Sequence, residues 1–244
     1  MANIILTSFV QLAIILPILF FFIREKNKSA YFRLFLFVVI FIVYSIVLHF
    51  PRYYDQADFI GGTWNWSGKI LATLFGIVCY ILFKRYFTQH NYFTLRQNKS
   101  TIKSTVLASL ALVVIAIISG YTLKQKELNF ETLAFQLTMP GLDEEILFRG
   151  VLLGLLLTIL SDKSAIGKFN FGNPSLLIIS ILFGLVHGLG FEHDQQIYFH
   201  FFNIFSTGLT GYGLGWIAIN SRSILLPAVT HNLFNFLLNF ISMI

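Results

Sequence analysis

The sequence is divided into successive apolar segments of about 20 residues, the length that a helix needs to cross a hydrocarbon core about 30 Å thick. Apolar residues make up 56% of the chain and charged residues only 11%, which excludes a soluble fold. The apolar segments leave no room for a soluble domain. The pattern therefore predicts an all-α polytopic membrane protein, folded as a bundle of about eight transmembrane helices.

Residues 1–244 are expected to form a single integral-membrane domain, with four N-terminal spans in 1–123 and the core spans in 140–241. The stretch 124–139 mixes polar and apolar residues, and it is predicted to form a short helix that lies in the membrane interface. The eight predicted spans are 4–23, 31–50, 68–83, 104–123, 141–159, 174–189, 197–219 and 224–241.

Lys and Arg are concentrated in alternate turnarounds of these spans. When Arg33 and Lys69 are counted with the turnarounds that they adjoin, the first, third, fifth and seventh turnarounds hold 12 of them, whereas the second, fourth and sixth hold 4. The positive-inside rule then predicts that both termini lie outside the cytoplasm. We interpret the net charge of +6 as a determinant of membrane topology and of contact with anionic lipid, not as a sign of nucleic-acid binding. The high Phe, Asn, Lys and Ile content is typical of a bacterium with an A·T-rich genome, so we expect a multi-pass protein of the bacterial plasma membrane.

Four charged residues lie within seven positions at the start of the fifth predicted span: Asp143, Glu144, Glu145 and Arg149. A charged group inside a membrane costs about 2.5–3.5 kcal/mol on insertion scales, so such groups normally face a protein interior or a wet cavity and mark functional sites. One alternative is that Asp143 and Glu144 follow a helix start at Pro140-Gly141 and complement the positive end of the helix dipole. That alternative does not account for Arg149. Glu145 and Arg149 are spaced i and i+4 with the acid first, which favours an ion pair on one helix face.

Two further predicted spans carry polar residues inside apolar runs. His187 lies on the sixth span, four residues after Phe183, and His231 and Asn235 share one face of the eighth at i and i+4. Gathered around one water-filled pocket, these groups would satisfy one another's hydrogen bonds. We therefore predict a wet cavity that connects Glu144 with His231.

Four other polar residues receive a simpler interpretation. His200 is interpreted as a hydrogen-bonded packing residue. Glu192, His193 and Asp194 are interpreted as a solvated loop in preference to a metal site.

The residue types on the fifth, sixth and eighth spans match what a hydrolase needs to activate water. A carboxylate or an imidazole takes a proton from the water, and nearby donors stabilise the oxyanion. Glu144 with His187 fits the first role, and His231 with Asn235 fits the second. The sequence contains no H-E-x-x-H, no G-x-S-x-G and no Cys-His pair. The rival interpretation is a zinc ion with Glu144, His187 and His231 as its three ligands.

Three motifs in this order, Glu144-Glu145-x-x-x-Arg149, Phe183-x-x-x-His187 and His231-x-x-x-Asn235, resemble those of the CAAX protease and bacteriocin-processing family, also called the Abi family. The resemblance covers residues from about 140 to 240. It implies a multi-span intramembrane endopeptidase, and the eukaryotic and archaeal members of the family cleave the C-terminal tripeptide from prenylated proteins. It also implies that Glu144 and His187 activate water, that His231 and Asn235 stabilise the oxyanion and that Glu145 and Arg149 orient the site, with no metal and no other cofactor.

We therefore expect a glutamate-type membrane peptidase, independent of metal, that hydrolyses a peptide bond close to the membrane surface. Its expected partners are a peptide or protein substrate, including a lipidated or membrane-bound one, and the lipid bilayer, with no nucleic acid. One alternative is a non-catalytic bacteriocin-immunity or membrane scaffold protein. Another is a proton-coupled transporter that uses the buried Glu and His residues as a relay, although the sequence shows no inverted repeat.

Overall fold

The computed structural model describes residues 1–123, 127–162, 165–166, 169–170, 172–192 and 194–244. The described backbone is mostly helical. Its α-helices are α1 (Ala2–Phe22), α2 (Lys28–His49), α3 (Trp66–Phe83), α4 (Ile102–Thr122), α5 (Phe130–Glu145), α6 (Leu153–Ile159), α7 (Pro174–Gly188), α8 (Phe201–Ser221) and α9 (Leu225–Met243). A π-helical segment, Ile146–Leu152, joins α5 to α6, and the short strands are β1 (Ala165–Ile166), β2 (Phe169–Asn170), β3 (Leu189–Phe191) and β4 (Ile197–Phe199).

The predicted all-α bundle is confirmed. Because α5, the π-helical segment and α6 form one continuous helix over 130–159, the described residues contain eight helical spans. Four of these, α1 to α4, are long and apolar enough to cross a membrane by length and composition. Together with the apolar composition, this makes the chain an integral membrane protein.

Asparagine side chains cap four of the helices at their N-termini. The first backbone N–H groups of a helix have no partner within the helix, and an Asn oxygen just before it can accept a hydrogen bond from one of them. Asn27, Asn65, Asn129 and Asn173 do this for α2, α3, α5 and α7 respectively. These caps place the helix starts within a few residues of the predicted ones, except for α5.

The predicted start of the fifth span at Gly141 is wrong, and so is the separate interfacial helix predicted before it. α5 begins at Phe130 and continues through Pro140 and Gly141 into the charged motif, while residues 124–126 of the predicted interfacial helix lie outside the described residues. The dipole explanation of the acidic residues is therefore also wrong, because Asp143 and Glu144 lie at the C-terminal end of α5.

A side chain from α9 explains how α5 continues through a proline. Proline lacks an N–H group and usually interrupts a helix. Here the Asn232 side-chain oxygen accepts the Gly141 N–H at 2.7 Å, and its amide nitrogen donates to the Thr138 carbonyl at 3.2 Å. These bonds satisfy backbone groups on both sides of Pro140, so the helix persists in spite of its sequence.

The predicted start of the seventh span at 197 is also wrong, because Ile197–Phe199 is strand β4, which pairs with β3 as an antiparallel hairpin. α8 begins only at Phe201. The hairpin turn carries the exposed Glu192 and Asp194, whereas His193 lies outside the described residues. His200 is exposed and stacks on Tyr198 with 5.6 Å between ring centroids, so it is not a buried packing residue.

The helix ends and loops lie on two opposite faces of the bundle. We call the face with the connections α1–α2, α3–α4, α6–α7 and α8–α9 the basic face; the Arg24 to Asp162 ion pair at 2.6 Å and the bond from the Asn98 N–H to the Ser221 carbonyl hold it together. We call the opposite face the hairpin face. It holds both termini, the loop 50–65, the start of α5 and the β3–β4 hairpin, and the Asn3 side chain donates to the Glu192 carbonyl there.

The continuous helix over 130–159 lies at the centre of the bundle. Every residue from 143 to 157 is buried, and the neighbours of this stretch are α2, α3, α7 and α9. Because other helices enclose this stretch, its charged side chains must be paired inside the protein.

Candidate functional site: a buried cluster of carboxylates, cations and histidines

Three consecutive carboxylates end helix α5. Asp143, Glu144 and Glu145 have exposed fractions of 0%, 9% and 0%. Successive residues of an α-helix are rotated by about 100°, so the three side chains point to different neighbouring helices. The π-helical segment starts at the next residue, and π-helical turns inside α-helices frequently mark functional sites.

Asp143 is held by side chains from two N-terminal helices. Lys69 of α3 donates to Asp143 Oδ1 at 2.9 Å, and the Tyr44 hydroxyl of α2 donates to Asp143 Oδ2 at 2.7 Å. The same ammonium group contacts Glu144 Oε1 at 2.5 Å. One buried cation therefore links two adjacent carboxylates and ties α3 to the end of α5.

Glu145 is the centre of a second charged group. Its Oε1 atom lies 3.1 Å from Arg149 Nη1 and 2.8 Å from His231 Nδ1. Arg149 is completely buried, and its Nη2 atom donates to the Gly211 carbonyl of α8 at 3.0 Å. The predicted ion pair between Glu145 and Arg149 is therefore present, and it connects the central helix to both α8 and α9.

The ring of Phe183 separates and orients the basic side chains. It lies 4.7 Å from the His187 ring and 5.9 Å from the His231 ring, measured between centroids. The Arg149 guanidinium carbon lies 4.4 Å from the Phe183 centroid, a cation–π distance. The aromatic residue of the second motif thus packs against one side chain from each of the three motifs.

Glu144 and His187 face each other, and each presents an acceptor atom that makes no hydrogen bond within the described part of the chain. His187 Nε2 lies 3.9 Å from Glu144 Oε2, which has no hydrogen-bond partner within the described residues. His187 Nδ1 lies 2.7 Å from the Phe183 carbonyl, and because a carbonyl can only accept, Nδ1 carries the proton. In the neutral ring Nε2 is then an acceptor. Two acceptors at this separation are well placed to receive both hydrogens of one water molecule at about 2.8 Å from each.

A cavity of about 990 Å³ reaches these two residues from the hairpin face. Its inner wall contains Glu144, His187 and Tyr44, and its outer wall comes from the first turns of α1, the end of α2 and the β3–β4 hairpin. A cavity is therefore present at Glu144, as predicted, and its hydration stays a prediction. Its predicted extension to His231 is not seen among the described residues, since neither His231 nor Asn235 lines it.

The structure places the predicted oxyanion residues beside the cluster. His231 is bonded to Glu145, not to Glu144. Asn235 lies one helical turn later on α9 and is partly buried, and its side chain makes no hydrogen bond within the described part of the chain. The three motifs thus meet through His231, whereas no contact joins Asn235 to the cluster within the described residues.

The buried cluster is nearly balanced in charge. Lys69 and Arg149 oppose three carboxylates, so its formal charge is −1 when both histidines are neutral. Buried charges are costly unless they are paired. One additional proton on the cluster, at a histidine or a carboxylate, would make it neutral.

The donor set does not fit the rival zinc site. Within the described residues, no three His, Cys, Asp or Glu side chains are placed to hold a metal ion. The Lys69 ammonium occupies Glu144 Oε1, and His231 Nδ1 is directed to a different carboxylate. Zinc sites use tetrahedral His, Cys or carboxylate ligands, and an ammonium group among them would repel the ion.

Sequence reasoning missed Lys69 and Tyr44 and misread Asp143. The signal for Lys69 was available, because a lone lysine four residues into an otherwise apolar helix is a functional candidate by default. Tyr44 carries no such signal, since tyrosine is common in membrane helices.

Comparison with known proteins extends over the part of the chain that holds all three motifs. Residues 126–237 match the family model described as type II CAAX prenyl endopeptidase Rce1-like. No curated protein and no solved structure gives a significant match. The matched segment runs from α5 to α9 and contains Glu144, His187, His231 and Asn235 but neither Lys69 nor Tyr44. Over these 112 of its 244 residues the chain is similar to the type II CAAX prenyl endopeptidases, a family of proteases.

Proposed function

We propose that this protein is a glutamate-type intramembrane endopeptidase in which Glu144 and His187 together activate a water molecule. The observation that carries the proposal is the pair of acceptor atoms, Glu144 Oε2 and His187 Nε2, which lie 3.9 Å apart in two residues that line a large cavity. A water that donates one hydrogen to each acceptor has its lone pairs directed away from both. It is therefore oriented to attack a carbonyl carbon in the cavity.

The proton steps follow from the same geometry. As the water oxygen attacks the peptide carbonyl, one proton moves to Glu144 or to His187 Nε2. The C–N bond then breaks, and the same group returns the proton to the leaving amine. Lys69 donates to the other Glu144 oxygen, which fixes the orientation of the carboxylate.

His231 and Asn235 are proposed to stabilise the oxyanion. His231 Nδ1–H is used on Glu145, so His231 can donate from Nε2 only as an imidazolium ion. Because the cluster has a formal charge of −1, protonation of His231 would make it neutral. The Asn235 amide is a neutral donor one helical turn away. Glu145 and Arg149 act through His231 and orient its ring.

The proposed chemistry requires no metal. A carboxylate, an imidazole and preorganised donors are sufficient for water attack and for oxyanion stabilisation. The ammonium group of Lys69 beside Glu144 supports this part of the proposal, because it supplies the positive charge that a metal ion would otherwise place there.

A cleavage assay with the purified protein in lipid vesicles tests the proposal. A peptide mixture is incubated with the parent and with the variants Glu144→Gln and His187→Ala, and products are identified by mass spectrometry. Each substitution is expected to lower the cleavage rate by about 10²–10⁴-fold, the usual contribution of a general base. Glu25→Gln makes the same chemical change on the basic face, far from the cavity, and is expected to cleave like the parent.

Cleavage by both site variants at the parental rate would refute the assignment. If Glu144→Gln abolished cleavage yet kept full protection against a bacteriocin in cells, the protective role would be non-catalytic, as in the immunity alternative.

A further inference from the structure

The charges outside the buried cluster are divided unequally between the two faces of the bundle. Among the residues that the structure describes, the basic face holds 10 Lys and Arg residues and 2 acidic residues, whereas the hairpin face holds one arginine and six acidic residues. The basic residues of the basic face are Arg24, Lys26, Lys28, Arg33, Lys84, Arg85, Arg96, Lys99, Lys103 and Arg222; the charged residues of the hairpin face are Arg52, Asp55, Asp58, Glu127, Glu131, Glu192 and Asp194.

Contacts in the structure assign these segments to their faces independently of the span count. On the basic face the Ile224 N–H donates to the Tyr92 carbonyl, which joins the α8–α9 connection to the α3–α4 loop. On the hairpin face Glu131 accepts a bond from the Thr63 N–H at 2.9 Å, which joins the start of α5 to the loop before α3. The unequal charge is therefore a property of the folded molecule and does not depend on where a predicted span was divided.

Hydrogen bonds from the Ser67 hydroxyl and the Gly61 N–H hold the pKa of Asp58, on the hairpin face, below its ordinary value. A face with a negative excess is not attracted to the anionic lipids of the cytoplasmic leaflet, whereas each Lys or Arg near that leaflet contributes about 1 kcal/mol.

The cavity opens on the acidic side. Its outer wall is built from Asn3 and Thr7 of α1, Arg52 after α2, and Glu192 and Tyr198 of the hairpin, all of which belong to the hairpin face. The basic loops lie at the other end of the helices. Because short loops rich in Lys and Arg stay in the cytoplasm, the cavity mouth faces away from it.

We propose that the protein takes its substrate from the extracytoplasmic side of the membrane, as an exported or membrane-anchored polypeptide presented at the hairpin face. This inference rests on the proposed proteolytic function. The side from which the substrate is taken would distinguish this protein from enzymes that process prenylated proteins, because those substrates are made and lipidated in the cytosol. We propose that the protein has this orientation in the bacterial plasma membrane.

Cysteine labelling in intact bacterial cells tests the orientation without requiring activity. The parent has a single cysteine, Cys79, which is buried and serves as the unlabelled reference. Asp194→Cys and Asp55→Cys place a thiol on the hairpin face, and Lys99→Cys places one on the basic face. A membrane-impermeant maleimide is expected to label the two hairpin-face variants in intact cells and Lys99→Cys only after permeabilisation. The reverse pattern overturns the inference while leaving the proposed chemistry intact.

A pair of reporters tests the substrate side. A peptide that the purified protein cleaves is placed next to a membrane anchor, either on the exported side or on the cytoplasmic side of the same anchor. We expect loss of the full-length exported reporter only, and no loss with Glu144→Gln. Cleavage of the cytoplasmic reporter at an equal or higher rate overturns the inference. A Glu144→Gln variant that cleaves normally overturns the proposed function instead.

Discussion

Replacement of Lys69 with methionine would test whether buried charge pairing holds the cluster of Asp143, Glu144 and their partners together. Methionine keeps a long apolar stem but removes the ammonium group, which lies 2.9 Å from Asp143 Oδ1 and 2.5 Å from Glu144 Oε1. The Lys69 and Glu144 side chains are each 12% exposed and that of Asp143 is 0% exposed, so solvent screens these contacts little. Removing one partner of a buried ion pair typically costs about 3–5 kcal/mol. We expect the free energy of unfolding to fall by that amount.

A compensating substitution separates the charge effect from a packing effect. Lys69→Met changes the formal charge of the cluster from −1 to −2, whereas the double variant Lys69→Met/Asp143→Asn returns it to −1. The Asn side-chain oxygen can still accept the Tyr44 hydroxyl bond. Directly contacting residues show coupling energies of about 0.5–3 kcal/mol, so the double variant should be more stable than Lys69→Met by an amount in that range.

Equilibrium unfolding in mixed detergent micelles, followed by tryptophan fluorescence, measures both quantities. Trp64 stacks on Phe135 at 4.8 Å and reports the packing of α5 against the loop before α3. Lys99→Met removes an exposed lysine of the basic face and should change stability by no more than about 0.5 kcal/mol. A Lys69→Met variant as stable as Lys99→Met, or a double variant no more stable than the single one, would refute the charge-pairing argument.

Three further predictions concern helix packing, the metal and the oxyanion. A Cβ at Gly141 would overlap the Ala228 carbonyl oxygen of α9, so Gly141→Ala should cost about 1–3 kcal/mol in detergent unfolding. Gly213→Ala, whose Cβ would meet a movable leucine side chain at 3.2 Å, should cost less, and equal losses would contradict this. Chelator treatment should leave the cleavage rate unchanged; a loss that zinc restores would show a metal enzyme. Asn235→Ala should lower kcat by about 10²–10³-fold with little change in unfolding, and an unaltered kcat would remove Asn235 from the oxyanion site.

The sequence predicted the bundle and the meeting of the three motifs because both depend on strong local signals. Apolar runs of membrane length define α1 to α4 almost to the residue. Polar side chains that are isolated in apolar helices must find one another, which is why Glu144 and His187 lie side by side. Their catalytic roles stay predictions until the variants are assayed.

The errors arose where tertiary contacts override local signals. Pro140-Gly141 is a strong helix-breaking dipeptide, yet Asn232, 91 residues after Gly141 in the chain, supplies the missing hydrogen bond and lets α5 continue. The stretch Ile197–Phe199 reads as the start of a membrane helix because it is apolar, but its backbone pairs with β3. Neither partner can be identified from the local sequence.

The N-terminal helices supply positive charge to the buried cluster, because residues 126–237 alone do not neutralise its carboxylates. Within residues 126–237 the cluster contains three carboxylates and one cation, Arg149, a formal charge of −2 with neutral histidines. Lys69 of α3 reduces this to −1, Tyr44 of α2 satisfies the remaining Asp143 oxygen, and α1 and α2 form the outer wall of the cavity. Because an uncompensated charge is costly in a buried helix, the first three helices are expected to stabilise the buried cluster together with the motifs themselves. A lone lysine near the start of an apolar span, in a chain that also carries consecutive buried acids, is therefore the residue to examine first as their counter-ion.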